Sequence, residues 1–201
     1  DDFLRCAEIF FPIGDYITIN ISSPNTSGLR DFHDEDALKK LLTKINEVRE
    51  KSNFNKSFLL KVSPDLDSSQ IPVIVKLILE YKIDGVILTN TSNKNRDNLK
   101  DPNSKENGGL SGKPIRDLST EFVKKFYRNL NGKIPIIGVG GVDSGESAFE
   151  KIAAGASAVQ LYTGLIYKGP NIVKVIKKDL IKILNNKGFK NINEAVGSSS
   201  H

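Results

Sequence analysis

The chain has 201 residues, of which 38% are hydrophobic and 26% are charged, an ordinary globular composition that allows one domain with a real core. No apolar run approaches the roughly 20 residues that a membrane-spanning helix needs, and the single cysteine excludes a disulfide framework. The net charge of +5 comes mostly from lysines interleaved with acidic residues. We therefore expect a solvated surface and no nucleic-acid partner.

Short apolar runs of strand character alternate along the chain with segments of helical periodicity. We predict strands at 16–20, 58–62, 85–90, 134–141 and 158–162. We predict helices at 3–11, 36–50, 68–81, 119–129, 144–154 and 171–186, and a short docking helix at 192–196. Ser119 and Ser144 are predicted N-caps. The polar stretch 91–117 is too long for a simple connection, so we expect it to be functional or mobile.

The strands read as apolar throughout, which is typical of a parallel sheet covered by helices on both faces. Two α/β architectures fit, a doubly wound open sheet and a (β/α)₈ TIM barrel. The polar clusters favour the barrel, because each lies at the carboxyl end of a strand, where barrel active sites form. Five strand–helix units cannot close an eight-stranded barrel, and counted from its end they correspond to strands four to eight. We therefore predict that residues 1–201 form one partial barrel domain, with the first strands absent from this sequence and no closed barrel by itself.

A crowded polar loop follows the first strand at residues 20–30, with the sequence NISSPNTSGLR. Asn and Ser favour turns over strands, but a turn needs fewer of them than this loop contains. So many neutral donors and acceptors predict a site for a small, flat, polar ligand.

The last two strands end in the glycine-containing turns 139–141 and 162–164. Glycine lets backbone amides approach an anion, and the positive ends of the helix near Ser144 and of the segment after Thr163 add to the attraction. Barrels commonly bind phosphate at these two strands, so we predict a phosphate site. The alternative is that the glycines only permit tight turns.

Lys61 interrupts the second predicted strand, 58–62. An unpaired lysine is costly to bury, so we expect Lys61 to point into the barrel mouth, towards an anionic or electron-rich ligand, with Thr89 and Gly112 lining the same space. The alternative is a lysine whose ammonium reaches solvent at an edge.

The remaining polar residues exclude two classes of site. The two histidines, His33 and His201, are expected to be exposed and not catalytic. The polar loop lacks a histidine or aspartate partner for its serines, which argues against a hydrolase triad. No cluster of residues has metal-ligand spacing, so we predict no metal.

Several segments together resemble the dihydroorotate dehydrogenases, in order, with family-like spacing and almost from end to end. They read NISSPNTSGLR, LLKVSPDL, VILTNT, GGLSGKPIRDLST, PIIGVGGVDSGESAFEKIAAGASAVQLYTGLIYKGP and GF…AVG. The serines of the first segment are similar to class 2, the membrane-associated type that passes electrons to quinone. Class 1 enzymes carry a cysteine as the base, and this loop has none.

The resemblance implies an FMN-dependent barrel that oxidises dihydroorotate to orotate in pyrimidine biosynthesis. Ser23 is then the base that removes a proton from ring carbon 5, with Thr26 as its relay partner, while a hydride leaves ring carbon 6 for the flavin. The implied substrate-binding residues are Asn20, Asn25, Asn90 and Thr91. The implied cofactor-binding residues are Asn20, Lys61, Thr89, Gly112, Gly141, Tyr162 and Thr163, the last three near the phosphate.

The resemblance also implies where the protein works. Class 2 enzymes contact the membrane peripherally and form their quinone tunnel through an N-terminal part that this sequence does not cover. The expected location is the cytoplasmic face of a bacterial inner membrane, or the mitochondrial inner membrane. The loop from Thr26 to Asp36 is expected to act as a lid.

Two other functions stay open from the residues. One is another FMN- or phosphate-binding barrel enzyme, such as a class 1 relative or a sugar-phosphate isomerase, which needs only the two last loops. The other is a non-catalytic barrel fragment that binds a nucleotide without turnover.

Overall fold

The computed structural model describes residues 2–94 and 96–200. Helices and strands alternate along them: α1 (Asp2–Phe10), β1 (Tyr16–Asn20), α2 (Glu35–Lys51), β2 (Ser57–Val62), α3 (Gln70–Glu80), β3 (Gly85–Leu88), α4 (Arg116–Leu130), β4 (Ile136–Val139), α5 (Gly145–Ala153), β5 (Ala158–Gln160), α6 (Thr163–Lys168), α7 (Ile172–Asn186) and α8 (Ile192–Ala195). Three 3₁₀ turns cover Leu29–His33, Pro102–Lys105 and Lys113–Ile115.

The strands form one parallel sheet in the order β1-β2-β3-β4-β5. A doubly wound sheet reverses its strand order part-way, so this sequential order excludes that alternative. Asn20 at the end of β1 lies opposite Lys61 of β2. The carboxyl ends of the strands therefore lie along one edge of the sheet, as in a barrel wall.

Two apolar clusters hold the elements together. The larger lies between the sheet and helices α1 to α4, and its fully buried aromatic residues are Phe58 and Phe126. The smaller joins α5 to α7 through Ile152, Ile172 and Ile176. The larger cluster takes up one face of β2, with Phe58, Leu60 and Val62, and Leu59 on the opposite face is also buried, which explains why apolar residues lie on both faces of this strand.

The two predicted N-caps have different outcomes. Ser144 caps α5 as predicted, since its Oγ accepts from the N–H of Ser147 and the Ser147 side chain accepts in return. Ser119 is not a cap, because α4 begins at Arg116. The Ser119 hydroxyl instead donates to the carbonyl of Val139, at the end of β4, and so ties α4 to the strand that precedes the first glycine turn.

The sequence analysis did not predict the short helical element after β5. The prediction treated the residues after β5 as a turn, whereas α6 begins at Thr163. Among the residues that the structure describes, no helix has the length and hydropathy required to cross a bilayer.

Candidate functional site

Side chains from the ends of β1 and β3 meet in one hydrogen-bonded network. Asn20 Oδ1 accepts from Ser22 Oγ at 2.7 Å and from Asn90 Nδ2 at 3.3 Å. Asn90 Nδ2 also donates to Ser22 Oγ at 3.0 Å, and Asn90 Oδ1 accepts from the N–H of Thr91 at 2.8 Å. The predicted substrate residues Asn20, Asn90 and Thr91 are thus brought together.

The two serines of the polar loop have different surroundings. Ser22 is fully buried and belongs to the network of Asn20 and Asn90. Ser23 is partly exposed, and its Oγ accepts from the N–H of Asn25 at 3.2 Å and lies 3.5 Å from Thr26 Oγ1. Ser23 is therefore the more exposed of the two serines.

A cleft of about 610 Å³ lies at the carboxyl ends of β2 to β5. It brings together most of the residues that the sequence predicted for binding: Lys61, Thr89, Asn90, Thr91, Gly112, Gly141, Tyr162 and Thr163. Three predicted residues lie outside its wall. Asn20 lines a groove beside α1 and β1, Asn25 lines a cavity beside the 93–108 loop, and Ser23 lines none of these spaces.

Backbone forms the β4 and β5 side of the cleft. Gly141 has φ of 73°, and a Cβ there would lie 2.5 Å from the Cβ of Arg116. Gly112 has φ of 76°, and a Cβ there would lie 2.9 Å from Thr163 Cγ2. Only glycine fits both the dihedral angles and the space. Arg116 Nε donates to the carbonyl of Gly141 at 3.0 Å, which fixes this turn.

The amides at the start of α5 do not point to a ligand. The N–H groups of Asp143 and Ser144 both donate to Ser147 Oγ at 2.9 Å, and the N–H of Ser147 donates to Ser144 Oγ. The prediction that the helix near Ser144 supplies phosphate-binding amides is therefore wrong for these three groups. The backbone that does line the cleft belongs to residues 140–143 and 162–164.

Two polar groups on the cleft wall lack protein partners. Thr89 Oγ1 is buried with no hydrogen-bond partner among the described residues. Lys61 is half-buried at the end of β2, and burial lowers the pKa of its ammonium below the ordinary value. No carboxylate in the described part of the chain forms an ion pair with it. Both groups can serve a polar ligand in the cleft.

The prediction that His33 is exposed is wrong. It is buried with 7% exposure at the end of the Leu29–His33 turn. Burial, helped by the positive charge of Arg30, lowers the pKa of His33 to about 4, so the imidazole is neutral at pH 7. Its Nε2 has no hydrogen-bond partner among the described residues, so His33 contributes to the loop after β1 by burial. His201 lies outside the described residues.

Comparison with known proteins identifies the family. The sequence model of the dihydroorotate dehydrogenase family matches residues 1–184. The chain belongs to the dihydroorotate dehydrogenase family. It is 45% identical to the dihydroorotate dehydrogenase (quinone) of Trichodesmium erythraeum (strain IMS101), over 98% of the chain and 53% of that protein. It is 43% identical to the mitochondrial dihydroorotate dehydrogenase (quinone) of Mus musculus, over 98% of the chain and 50% of that protein.

Solved dihydroorotate dehydrogenase structures share the fold. The Eimeria tenella enzyme in complex with ferulenol superposes with a TM-score of 0.93 at 34% identity, covering 99% of this chain and 57% of that one. The ligand-free enzyme from the same organism superposes with a TM-score of 0.91. The chain thus spans about half the length of the curated relatives it matches. The prediction of a partial (β/α)₈ barrel is confirmed.

Dihydroorotate dehydrogenases are in general flavin-dependent, and the residues of the cleft fit such a group. The two glycine turns line the cleft, Thr89 Oγ1 has no other partner among the described residues, and Lys61 adds a positive charge. These are the donors that a bound flavin nucleotide needs.

Sequence reasoning missed several residues of the site. Ser111 Oγ lies 2.9 Å from Thr163 Oγ1 and bridges the loops after β3 and β5. Its position beside Gly112 was the available signal. Ser22 was treated as part of a generally polar loop, and Asp65 was not singled out, although its carboxylate contacts the loops after both neighbouring strands.

Proposed function

We propose that this chain is the part of a class 2 dihydroorotate dehydrogenase that binds FMN and dihydroorotate. In this proposal the whole enzyme oxidises dihydroorotate to orotate in de novo pyrimidine biosynthesis, and a quinone accepts the electrons. The observation that carries the proposal is the adjacency of a flavin-sized cleft and the network of Asn20, Ser22 and Asn90. Residues 1–201 then form one FMN-binding partial barrel domain.

The cleft supplies the cofactor contacts in this proposal. The turns at Gly141 and Tyr162–Thr163 would hold the phosphate, and Thr89 and Gly112 on the cleft wall, with Asn20 from the neighbouring groove, would hold the rest of FMN. When bound, FMN would supply the acceptor for the hydride of ring carbon 6 and the carrier of the two electrons to the quinone. Lys61 lies on the cleft wall, where its ammonium favours negative charge on the flavin ring.

Substrate is held by amides and one hydroxyl in this proposal. Asn20, Asn25, Asn90 and Thr91 offer directional donors and acceptors without net charge, which suits a flat heterocycle with carbonyl and N–H groups. Asn90 is already fixed by its bonds to Asn20, Ser22 and Thr91. A preset amide loses little freedom when the ligand arrives.

Ser23 is the proposed base. Its oxygen takes the proton from ring carbon 5, so that the C5–H and C6–H bonds are replaced by the carbon–carbon double bond of orotate. A serine hydroxyl needs activation for this role. The N–H of Asn25 donates to Ser23 Oγ and stabilises negative charge there. Hydroxyl hydrogens rotate, so Thr26, 3.5 Å away, can carry the serine proton onward.

The proposal extends to the surroundings of the enzyme. In this proposal the loop from Thr26 to Asp34, which ends where α2 begins, covers the substrate. In this proposal, quinone and the membrane surface are met by a part of the longer enzyme outside residues 1–201, expected on its amino-terminal side. The relatives from Mus musculus and Arabidopsis thaliana are named as mitochondrial, which agrees with the proposed mitochondrial inner membrane. In a bacterial host the proposed location is the cytoplasmic face of the inner membrane.

Flavin spectroscopy on the complete protein tests the proposal. We expect FMN absorbance near 450 nm, a general flavin property, that dihydroorotate removes without oxygen and a soluble quinone restores. A bound flavin that dihydroorotate does not reduce would favour another flavin barrel, and reoxidation by a soluble acceptor but not by quinone would favour a class 1 type. Absence of flavin binding would favour the alternative of a non-catalytic barrel fragment that binds a nucleotide without turnover.

A further inference from the structure

Three loop segments meet at the carboxylate of Asp65, which lies in the turn after β2. Its Oδ2 forms an ion pair with Arg30 Nη1 at 3.0 Å and accepts from the N–H of Asn93 at 2.8 Å. Its Oδ1 accepts from Ser92 Oγ at 2.5 Å. Both oxygens are therefore bonded to groups from the loops after β1 and β3.

The Asp65 carboxylate depends on these partners. Only 7% of its side chain is exposed, and a buried carboxylate is costly unless charged or N–H donors surround it. Its backbone carbonyl also accepts from Lys94 Nζ at 3.0 Å. The turn after β2 is thus bonded, at one residue, to both neighbouring loops.

The partners of Asp65 lead directly to the proposed substrate residues. Arg30 ends the polar loop that carries Ser23, and its Nη2 donates to the carbonyl of Thr91 at 3.4 Å. Ser92 follows Thr91 and pairs with Leu110 of the long loop through two backbone hydrogen bonds. Asp65 itself does not line the cleft, so it acts on the substrate through these neighbours.

We propose that Asp65 is a positioning residue for dihydroorotate, which holds the loop of Ser23 and the segment of Asn90 and Thr91 in one fixed arrangement. The inference rests on the proposed function of the site. Asn20 fixes the start of the polar loop and the Arg30–Asp65 ion pair fixes its end. Loss of the second anchor leaves FMN contacts intact but allows Ser23 and Thr91 to move apart.

The D65N variant of the complete FMN-loaded protein tests this role, because asparagine keeps the shape but removes the charge that faces Arg30. The matched control is D67N, since Asp67 is an exposed acid two residues along the same turn. For D65N we expect flavin reduction at saturating dihydroorotate to slow by about 10- to 100-fold, as a small misplacement of reacting groups does. FMN content and reoxidation by quinone stay unchanged.

Hydrogen exchange gives a second readout that needs no turnover. In D65N, amides of 22–30 and 90–94 exchange faster, while those of β4 and β5 do not. Reduction of D65N at the rate of D67N overturns the inference, and so does a parallel loss of FMN content and both half-reactions, which marks a general folding defect. If the wild-type flavin is not reduced by dihydroorotate, the proposed function fails and the inference with it.

Discussion

The glycine turns after β4 and β5 and the polar loop after β1 are the two sides of the proposed site, and they are built differently. The glycine side is backbone, with Gly141 closely packed against Arg116. The loop side is side chains, with Asn20 and Asn90 bonded to each other and Asp65 anchoring the loop end. Fixed backbone suits a resident cofactor, whereas a loop held by single side chains can open for a substrate. Changes on the two sides should therefore separate cofactor binding from chemistry.

The largest effect is expected from S23A on the loop side. Removal of the base should slow flavin reduction by dihydroorotate about 10²- to 10⁴-fold, with FMN still bound because Ser23 does not line the cleft. Anaerobic stopped-flow absorbance measures the rate. The control is S27A, an exposed serine in the same loop, which should behave as wild type. Near-normal reduction by S23A would refute its assignment as the base.

The glycine side should show the opposite behaviour in G141A. A Cβ at this position meets Arg116 at 2.5 Å, so we expect FMN affinity to fall by on the order of 10²-fold, about 2.7 kcal/mol, in a fluorescence titration of the apoprotein. G132A is the control, because Gly132 has a similar φ of 70° with nothing within 4 Å of its Cβ. Equal FMN affinities in the two variants would show that the close approach at Gly141 does not serve the cofactor.

A buried lysine beneath the glycine side predicts a dependence of stability on pH. Lys151 is fully buried, its Nζ donates to the Arg116 carbonyl at 2.9 Å and to Thr120 Oγ1 at 2.5 Å, and burial lowers its pKa to about 7. Between about pH 7 and 10.5 the unfolded chain binds a proton that the folded chain does not. The free energy of unfolding should therefore rise with pH there, by about 1.5 kcal/mol from pH 7 to 8.5.

Denaturant titrations of K151M and of the control K174M at both pH values isolate this contribution. K151M should lack the rise, whereas K174M should keep it, because Lys174 is exposed on α7. The same pH dependence in both variants would mean that Lys151 does not titrate with a lowered pKa.

The smallest effect is expected from K61M. Lys61 lies near the end of β2, between the polar loop and the glycine turns. Loss of the ammonium removes a charge that favours reduced flavin, so flavin reduction should slow by about tenfold, or 1.4 kcal/mol, with FMN retained. K56M, which removes an exposed lysine just before β2, is the control. Equal reduction rates in K61M and K56M would place Lys61 away from the flavin ring.

The strands were the part of the fold that the sequence predicted best. β1 was predicted with its observed bounds, because its apolar run ends sharply at the polar loop. The start of α4 was misplaced, because Ser119 resembles an N-cap although its hydroxyl bonds to Val139 of a distant strand. The 3₁₀ turn that buries His33 was missed for a similar reason, since loop burial depends on contacts that no local pattern records.

The site divides in the same way. Lys61, Thr89 and the glycine turns were predicted because each lies at the carboxyl end of a strand, and the structure places them around one cleft. Asp65 also follows a strand, but a lone acid carries no signal until three loop segments converge on it. The residues whose roles come from strand position were predictable, and those whose roles come from loop packing were not.

The central claim is that the polar loop and the cleft form one site, although Ser23 does not line the cleft. A crystal structure of the complete protein with FMN and orotate tests it directly. We predict that FMN fills the cleft, with its phosphate at the Gly141 and Thr163 turns, and that Ser23 Oγ lies within about 3.5 Å of ring carbon 5 of orotate. Orotate bound with Ser23 turned away to solvent, or bound at a separate site, would contradict the account.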